Sequence, residues 1–204
     1  MKKNLIIGLV GKARSGKDTV GQMLVRQHGF VRDALADDLK LAALALDPWI
    51  RRQDQSFLRL SELIEQVGWE SAKANPEVRT LLQRLGTEAG WHMHGPSLWT
   101  DRVEARLKAD PTTDRVITDV RMPHEADWIH DVGGILVRIT RPDHEGTTGA
   151  NSRHESETGV DAMAVDIEVF NDGSLADLEV KVNDLVQILR NIDSPAQLVD
   201  KIVL

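Results

Sequence analysis

The sequence predicts an α/β protein, a parallel sheet flanked by helices, and three observations carry that expectation. Short apolar runs rich in β-branched residues alternate with longer segments of helical period. The first run, Leu5 to Val10, passes directly into Gly11-Lys12-Ala13-Arg14-Ser15-Gly16-Lys17-Asp18-Thr19, a glycine-bounded loop that opens a helix. Composition suits one domain: 204 residues, 41% hydrophobic and 28% charged, enough to bury a sizeable core without staples.

Leu5 to Val10 reads as a buried strand. Thr19 to Gln27 reads as a helix, with Val20, Met23 and Leu24 at helical intervals. Phe30 to Leu35 is expected as the second strand, followed by a helix from Ala36 to Leu46 that stops at Asp47-Pro48. Ser56 to Val67 and Glu77 to Ala89 read as helices separated by Asn75-Pro76, and Pro96 to Lys108 as another. Arg115 to Val120 is a strand, Glu125 to Asp131 a helix and Gly134 to Thr140 a strand. Arg141 to Thr158 is polar and reads as an exposed loop. Val165 to Phe170 is the last strand, before a helix from Leu175 to Asn191 with Leu178, Val182, Leu185 and Leu189 on one face. The sequence shows no internal repeat.

Composition also excludes classes of function. The chain has no cysteine, so it has no disulfide framework and no thiolate metal site, as suits a reducing cytoplasm. No apolar stretch is long enough to span a membrane. Met1-Lys2-Lys3-Asn4 is a basic start, but Leu5 to Val10 is too short for a signal-peptide core, so no signal is expected. A net charge of −7 argues against a broad nucleic-acid surface and stable nucleic-acid binding, while leaving room for a local phosphate site.

The loop pattern comes with a mechanism. Gly11 and Gly16 allow conformations and approaches that a Cβ blocks, and the loop amides then point at an anion near a helix N-terminus. Lys17 can reach the β- and γ-phosphates of a nucleoside triphosphate. The next position, where a hydroxyl usually meets Mg²⁺, holds Asp18, followed by Thr19. Asp18 either binds the metal, directly or through water, or favours the helix start electrostatically.

Ligands of open α/β sheets collect at the carboxyl ends of strands, so the residues after each strand matter. Asp37 and Lys40 follow the second strand; a helix N-cap with a charge pair explains them by itself. Asp119 and Arg121 follow the third: a carboxylate for the outer sphere of Mg²⁺ or for a substrate hydroxyl, and a planar fork suited to phosphate. Pro123 and Glu125 also make a plausible helix start. Arg141 follows the fourth strand, and Arg153 lies in the polar loop, where arginines suit a lid that closes over phosphates. His154 reads as a solvated loop residue. Asn171-Asp172-Gly173-Ser174 reads as a turn that caps the last helix; it can also touch a base, but the turn alone explains it. Glu88, Trp91, His92, His94 and Trp99 cluster in sequence; the aromatics can wall a nucleobase or fill a core, and His92-Met93-His94 lacks zinc-pair spacing.

Gly11 to Val20, Ala36 to Lys40, Leu85-Gly86-Thr87-Glu88, Asp119-Val120-Arg121 to Glu125, and His154 to Glu157 occur in the order seen in phage-type deoxynucleoside monophosphate kinases, and the chain resembles that family over most of its length. Where the family often continues with Arg after the acidic position, Trp91-His92 follows here. The resemblance implies a P-loop NTPase/kinase fold in a single domain over 1–204, with a helical nucleoside-monophosphate-binding insertion near 47–110 and a lid loop over 141–158. It further implies transfer of the ATP γ-phosphate to a deoxynucleoside monophosphate, dependence on Mg²⁺, a homodimer, and a place in the cytoplasm, the host's if the gene is a phage's.

On this reading Gly11, Ala13, Arg14, Ser15, Gly16, Lys17, Asp18 and Thr19 hold ATP. Asp18, Thr19 and Asp119 face the metal. Lys17, Arg14, Asp119, Arg121, Arg141 and Arg153 serve the transfer. Asp37, Lys40, Glu88, Trp91 and Arg121 meet the acceptor, between the helical insertion and Arg121. The alternatives are a kinase of another small acceptor, of dephospho-coenzyme A or phosphomevalonate type, and a nucleotide-dependent switch; the Asn-Lys-x-Asp base-reading string of GTPase switches is absent from the sequence.

Overall fold

An unbroken apolar run has no polar face to offer solvent, so it folds as a central strand covered on both sides. Ile6–Val10 does this as β1, with all five residues buried. The structure is a computed structural model that describes residues 4–142, 160, 163–192 and 202–204. From the N-terminus the elements are β1, α1 (Lys17–His28), β2 (Val31–Asp33), α2 (Leu35–Leu46), β3 (Trp49–Arg51), β4 (Phe57–Arg59), α3 (Leu60–Ala72) and α4 (Pro76–Gln83). There follow a π-helical stretch (Arg84–Trp91), one helical turn α5 (His92–His94), α6 (Leu98–Ala109), β5 (Arg115–Ile117), α7 (Pro123–Asp131), β6 (Ile135–Thr140), β7 (Ile167–Phe170), α8 (Leu175–Asn191) and β8 (Ile202–Val203). They form two compact units, Met1–Ala34 with Val103–Leu204, and Leu35–Arg102.

The first unit holds a sheet in the order β2-β5-β1-β6-β7-β8, parallel at every pairing. β1 lies between β5 and β6, with Gly8 opposite Ile117 on one side and Leu136 on the other. The chains that leave β5, β1, β6 and β7 therefore emerge at one edge of the sheet. On one face, Val20, Met23 and Leu24 of α1 and Leu178, Val182, Leu185, Val186 and Leu189 of α8 pack with Ile7, Leu9, Val137, Ile139, Ile167 and Val169. Each such aliphatic side chain contributes about 2 kcal/mol by leaving water. Ser174 and Asp177 cap α8 reciprocally: Asp177 Oδ2 accepts from the Ser174 amide at 2.8 Å, and Ser174 Oγ from the Asp177 amide at 3.3 Å.

A buried carboxylate organises the β2 edge. Asp33 accepts from Arg106 Nε and from Arg115 Nη1, each at 2.7 Å, and both Asp33 and Arg115 are buried. The pairing ties the end of β2 to α6 and β5 within this unit.

The second unit packs α2, the β3–β4 hairpin, α3 and α4 around Ala43, Ile50, Leu60, Leu63, Ala72 and Val78. Here the structure departs from the sequence expectation. Ser56 to Val67 was expected as one helix, but Phe57–Arg59 pairs antiparallel with Trp49–Arg51 before α3 begins. Asp54 accepts from the Ser56 amide at 3.0 Å and Gln55 takes a left-handed φ of 68°, which closes the turn. The cross-strand pair is Trp49 with Arg59, whose guanidinium sits 4.4 Å from the ring centroid. α2 starts at Leu35, so Asp37 lies inside its first turn rather than capping it, while the Lys40–Asp37 pair forms at 3.1 Å. The expected helix from Glu77 to Ala89 passes into the π-helical stretch. There Trp99 Nε1 donates to the Gly86 carbonyl at 3.2 Å, and a Cβ on Gly90 would stand 3.1 Å from the same nitrogen. β8, beside β7, was not anticipated.

Asp33→Ala should leave two arginines facing one another without their shared carboxylate. The expected loss is about 3 kcal/mol of unfolding free energy, read by urea denaturation; a loss below about 1 kcal/mol would show that the network carries little of the fold.

Candidate active site

The turn from β1 into α1 is shaped by what it cannot hold. A Cβ on Gly11, at φ +153°, would stand 2.5 Å from the Ile139 carbonyl oxygen and 2.7 Å from Ser15 Oγ. A Cβ on Gly16, at φ +107°, would stand 2.5 Å from Asn171 Nδ2. Arg14 between them is also left-handed, at φ 63°, so the loop changes hand along its length. Successive changes of hand turn peptide N–H groups inward into an anion-binding concavity. The 12-residue α1 then begins at Lys17 with Gly16 as its N-cap, a residue with no side chain to cap the helix. The positive end of the helix dipole is left for an anion. Lys17 folds back, and its ammonium donates to the Gly11 carbonyl and, at 2.7 Å, to the Lys12 carbonyl.

Ser15 is buried, and its hydroxyl oxygen has no hydrogen-bond partner among the described residues. A buried hydroxyl in that state can take one further polar partner. Asp18 is exposed and Thr19 half-buried in the first turn of α1. These oxygens, with the Asp119 carboxylate, are hard donors of the kind Mg²⁺ takes, so the donor set fits that ion.

Asp119 and Arg121 follow β5, and Arg141 follows β6, the two strands that flank β1. Arg121 and Arg141 are exposed and Asp119 is half-buried. Arg153 and 143–159 of the polar stretch lie outside the described residues. Two side chains have more to do than the sequence suggested. Glu125, expected as part of a helix start, is buried and accepts from the amides of Arg121 at 2.7 Å and Met122 at 3.0 Å. Burial pushes its carboxyl up to about 7, outweighing those amide bonds, and the neighbouring Asp119 charge pushes the same way. Asn171, read as a turn residue, reaches the phosphate loop: its Nδ2 donates to the Ser15 carbonyl at 3.0 Å. Its place at the carboxyl end of a parallel strand was the available signal.

In the second unit, Asp37 and Lys40 sit on α2 as an ion pair. Glu88 pairs with Arg84 at 3.1 Å in the π-helical stretch, which ends at Trp91. A cavity of about 690 Å³ opens in this unit, lined among others by Trp49, Leu81, Arg84, Leu85, Glu88 and Met93. Its walls are apolar with a few charged groups, the make-up of a small-molecule site. Glu88 lines it; Asp37, Lys40 and Trp91 are not among the lining residues. Trp49 escaped the sequence reading because a strand of three residues leaves no lasting periodicity.

A parallel sheet flanked by helices, with a glycine-bounded loop and lysine after its central strand, defines the class: an α/β kinase fold of the P-loop type. A family model described as deoxynucleotide monophosphate kinase matches residues 46–182, more than half the chain. The chain therefore belongs to the deoxynucleotide monophosphate kinase family and is a phosphotransferase. A protein of Acanthamoeba polyphaga mimivirus that carries the same family name is 28% identical, over 95% of this chain and 99% of that one. The deoxynucleoside-5'-monophosphate kinase of Escherichia phage T5 is 23% identical, over 82% of this chain and 90% of its own length. Among solved structures, TT1252 from Thermus thermophilus shares the fold at a TM-score of 0.50 and 19% identity, covering 92% of this chain and 99% of that one. The family match begins after the phosphate loop, so the loop geometry is an independent observation. Among the described residues no helix is long and apolar enough to cross a membrane.

Glu125 makes stability depend on pH. Its folded value lies above its ordinary 4.5, so the folded state holds the proton more tightly. The resulting stabilisation is complete below about pH 4.5 and is lost as pH rises through about 7. Glu125→Gln should flatten that part of the stability profile, by on the order of 3 kcal/mol across the window. Parallel profiles for the two proteins, from denaturation at stepped pH, would refute the assignment.

Proposed function

We propose that the chain transfers the γ-phosphoryl group of ATP to a deoxynucleoside 5'-monophosphate, giving ADP and a deoxynucleoside diphosphate for deoxynucleotide supply. The observation that carries this reading is the loop with Lys17 folded over it, at a helix N-terminus that no side chain caps. ATP phosphates lie on the amides from Ala13 to Thr19, where Gly11 and Gly16 leave room for them and Ser15 turns its hydroxyl to them. Lys17 exchanges its two carbonyl partners for phosphate oxygens. Asp18, Thr19 and Asp119 would hold Mg²⁺ by oxygen; when bound, the ion neutralises charge on the phosphate chain. Arg14, Arg141 and Arg153 add positive charge around the transferring group, and Arg121 offers a fork to the acceptor phosphate.

The acceptor meets Asp37, Lys40, Glu88 and Trp91 of the helical unit, and the cavity beside Glu88 accommodates the base and sugar. The transfer asks for little covalent chemistry; alignment and charge stabilisation do the work. A homodimer belongs to the reading, and Leu41, Leu46 and Phe57, exposed on the helical unit outside the cavity wall, are available to an interface. The viral relatives support action in a host cytoplasm.

The test is coupled ADP release with ATP and Mg²⁺ against a panel of deoxynucleoside and ribonucleoside monophosphates. Turnover that requires a deoxynucleotide acceptor, and that falls at least ~100-fold in a folded Lys17→Ala protein, is the expected result. Turnover with dephospho-coenzyme A instead, or ATP binding with no acceptor-dependent release, would overturn the reading.

A further inference from the structure

We propose that Asn171, on the turn after β7, is a positioning residue for the donor site, fixing the direction in which the phosphate loop presents the Gly16 amide. The inference rests on the reading that this loop holds the donor phosphates. Its starting point is the bond from Asn171 Nδ2 to the Ser15 carbonyl, 3.0 Å long and 156 positions apart in sequence.

A trans peptide is planar, and its C=O and N–H point in opposite directions. Holding the Ser15 carbonyl from one side therefore aims the Gly16 N–H to the other. That control is needed where it is applied. Gly16 is left-handed, and a glycine has no Cβ to oppose rotation of the adjoining peptide. Without the bond, the Ser15–Gly16 peptide can turn over and present a carbonyl, rather than an amide, to an anion.

The asparagine is itself held firmly. Its backbone N–H donates to Thr140 O at 2.7 Å, which anchors the turn to the end of β6. On one side of it, Lys181 donates to the Phe170 carbonyl at 2.8 Å and to Asp172 Oδ1 at 2.9 Å. Phe170 N–H donates to Leu204 O at 2.9 Å, so β8 closes the other side of the strand end. The fit is also close: the absent Cβ of Gly16 would stand 2.5 Å from the amide nitrogen. A side chain fixed at its backbone, braced by two neighbours and aimed at one carbonyl loses little freedom when it makes that bond. The arrangement is therefore suited to setting the loop before nucleotide arrives.

The test compares wild type, Asn171→Ala and the near-isosteric Asn171→Asp, whose carboxylate cannot donate to Ser15. ADP affinity is read by calorimetry, the KM values for ATP and for the preferred acceptor by steady-state kinetics, and folding by thermal melts. Asn171→Ala should weaken ADP binding and raise the ATP KM about fivefold, the factor carried by one ordinary hydrogen bond. Asn171→Asp should do so at least as strongly. The acceptor KM should stay within about twofold, because that substrate does not meet the loop peptide.

Unchanged ADP affinity in folded variants would overturn the proposal. So would equal losses for donor and acceptor, or failure of both variants to fold, since either result assigns the bond to general stability. Lys17→Ala separates this inference from the reading beneath it. If Lys17→Ala binds ADP normally, the donor reading itself fails. If Lys17→Ala loses ADP while the Asn171 variants keep it, the positioning role alone fails.

Discussion

The way the chain turns out of β1 constrains most of the carboxyl edge of the sheet. Between Val10 and Lys17 the backbone must pass under the end of β6 and reverse hand before starting a helix. Gly11 is there because the Ile139 carbonyl occupies the place of a side chain, and Gly16 because Asn171 does. Once that path is set, the Lys17 ammonium has two carbonyls within reach and closes the loop from above. The loop is thus a pre-formed cradle whose positive charge is satisfied by its own backbone. On the proposed reading, phosphate binding is an exchange of partners, with little chain to order.

The rest of the first unit supplies the rigidity that such a cradle needs. β1 is buried along its whole length and flanked by parallel strands on both sides, so its end is a fixed point. α8 and α1 share one apolar core, which fixes the helix that the loop opens. The buried Asp33–Arg115 pair does for the β2 edge what the apolar core does for the centre. Glu125 performs a smaller version of the same task after β5, where one buried carboxyl collects the amides of Arg121 and Met122 and so orders the backbone that carries Asp119 and Arg121. The helical unit is built on another plan: short helices, a hairpin and a π-helical stretch surround an apolar cavity with charged groups at its wall. A π-helical stretch widens the backbone and often marks a functional site, in keeping with the acceptor role proposed for Glu88.

Much of the first unit was legible in the sequence because its signals are local and strong. A buried parallel strand is a continuous apolar run, the loop is a fixed spacing of glycine and lysine, and Leu175 to Asn191 keeps a helical stripe over its full length. The helical unit was less legible. β3 and β4 are three residues each, too short for alternation to declare itself, and Phe57 and Leu58 read as readily in a helix as in a hairpin. In the π-helical stretch the Gly86 carbonyl accepts from Trp99, 13 positions on, a contact that no local pattern encodes. Glu125 and Asn171 were both visible, each with a sufficient local explanation as a helix start and a turn. What the sequence could not carry was their long reach: a carboxyl sealed from water in one case, and a bond spanning 156 positions in the other.

Whether the amides between β1 and α1 hold the donor phosphates can be read one residue at a time. In a ¹H–¹⁵N titration of the isotopically labelled protein with ATP and Mg²⁺, the amides of Ala13 to Thr19 should shift together. They should saturate at the affinity measured by calorimetry and stay in place when adenosine replaces ATP. Loop amides that do not move at saturating ATP, in a protein that still turns over, would place the donor phosphates elsewhere.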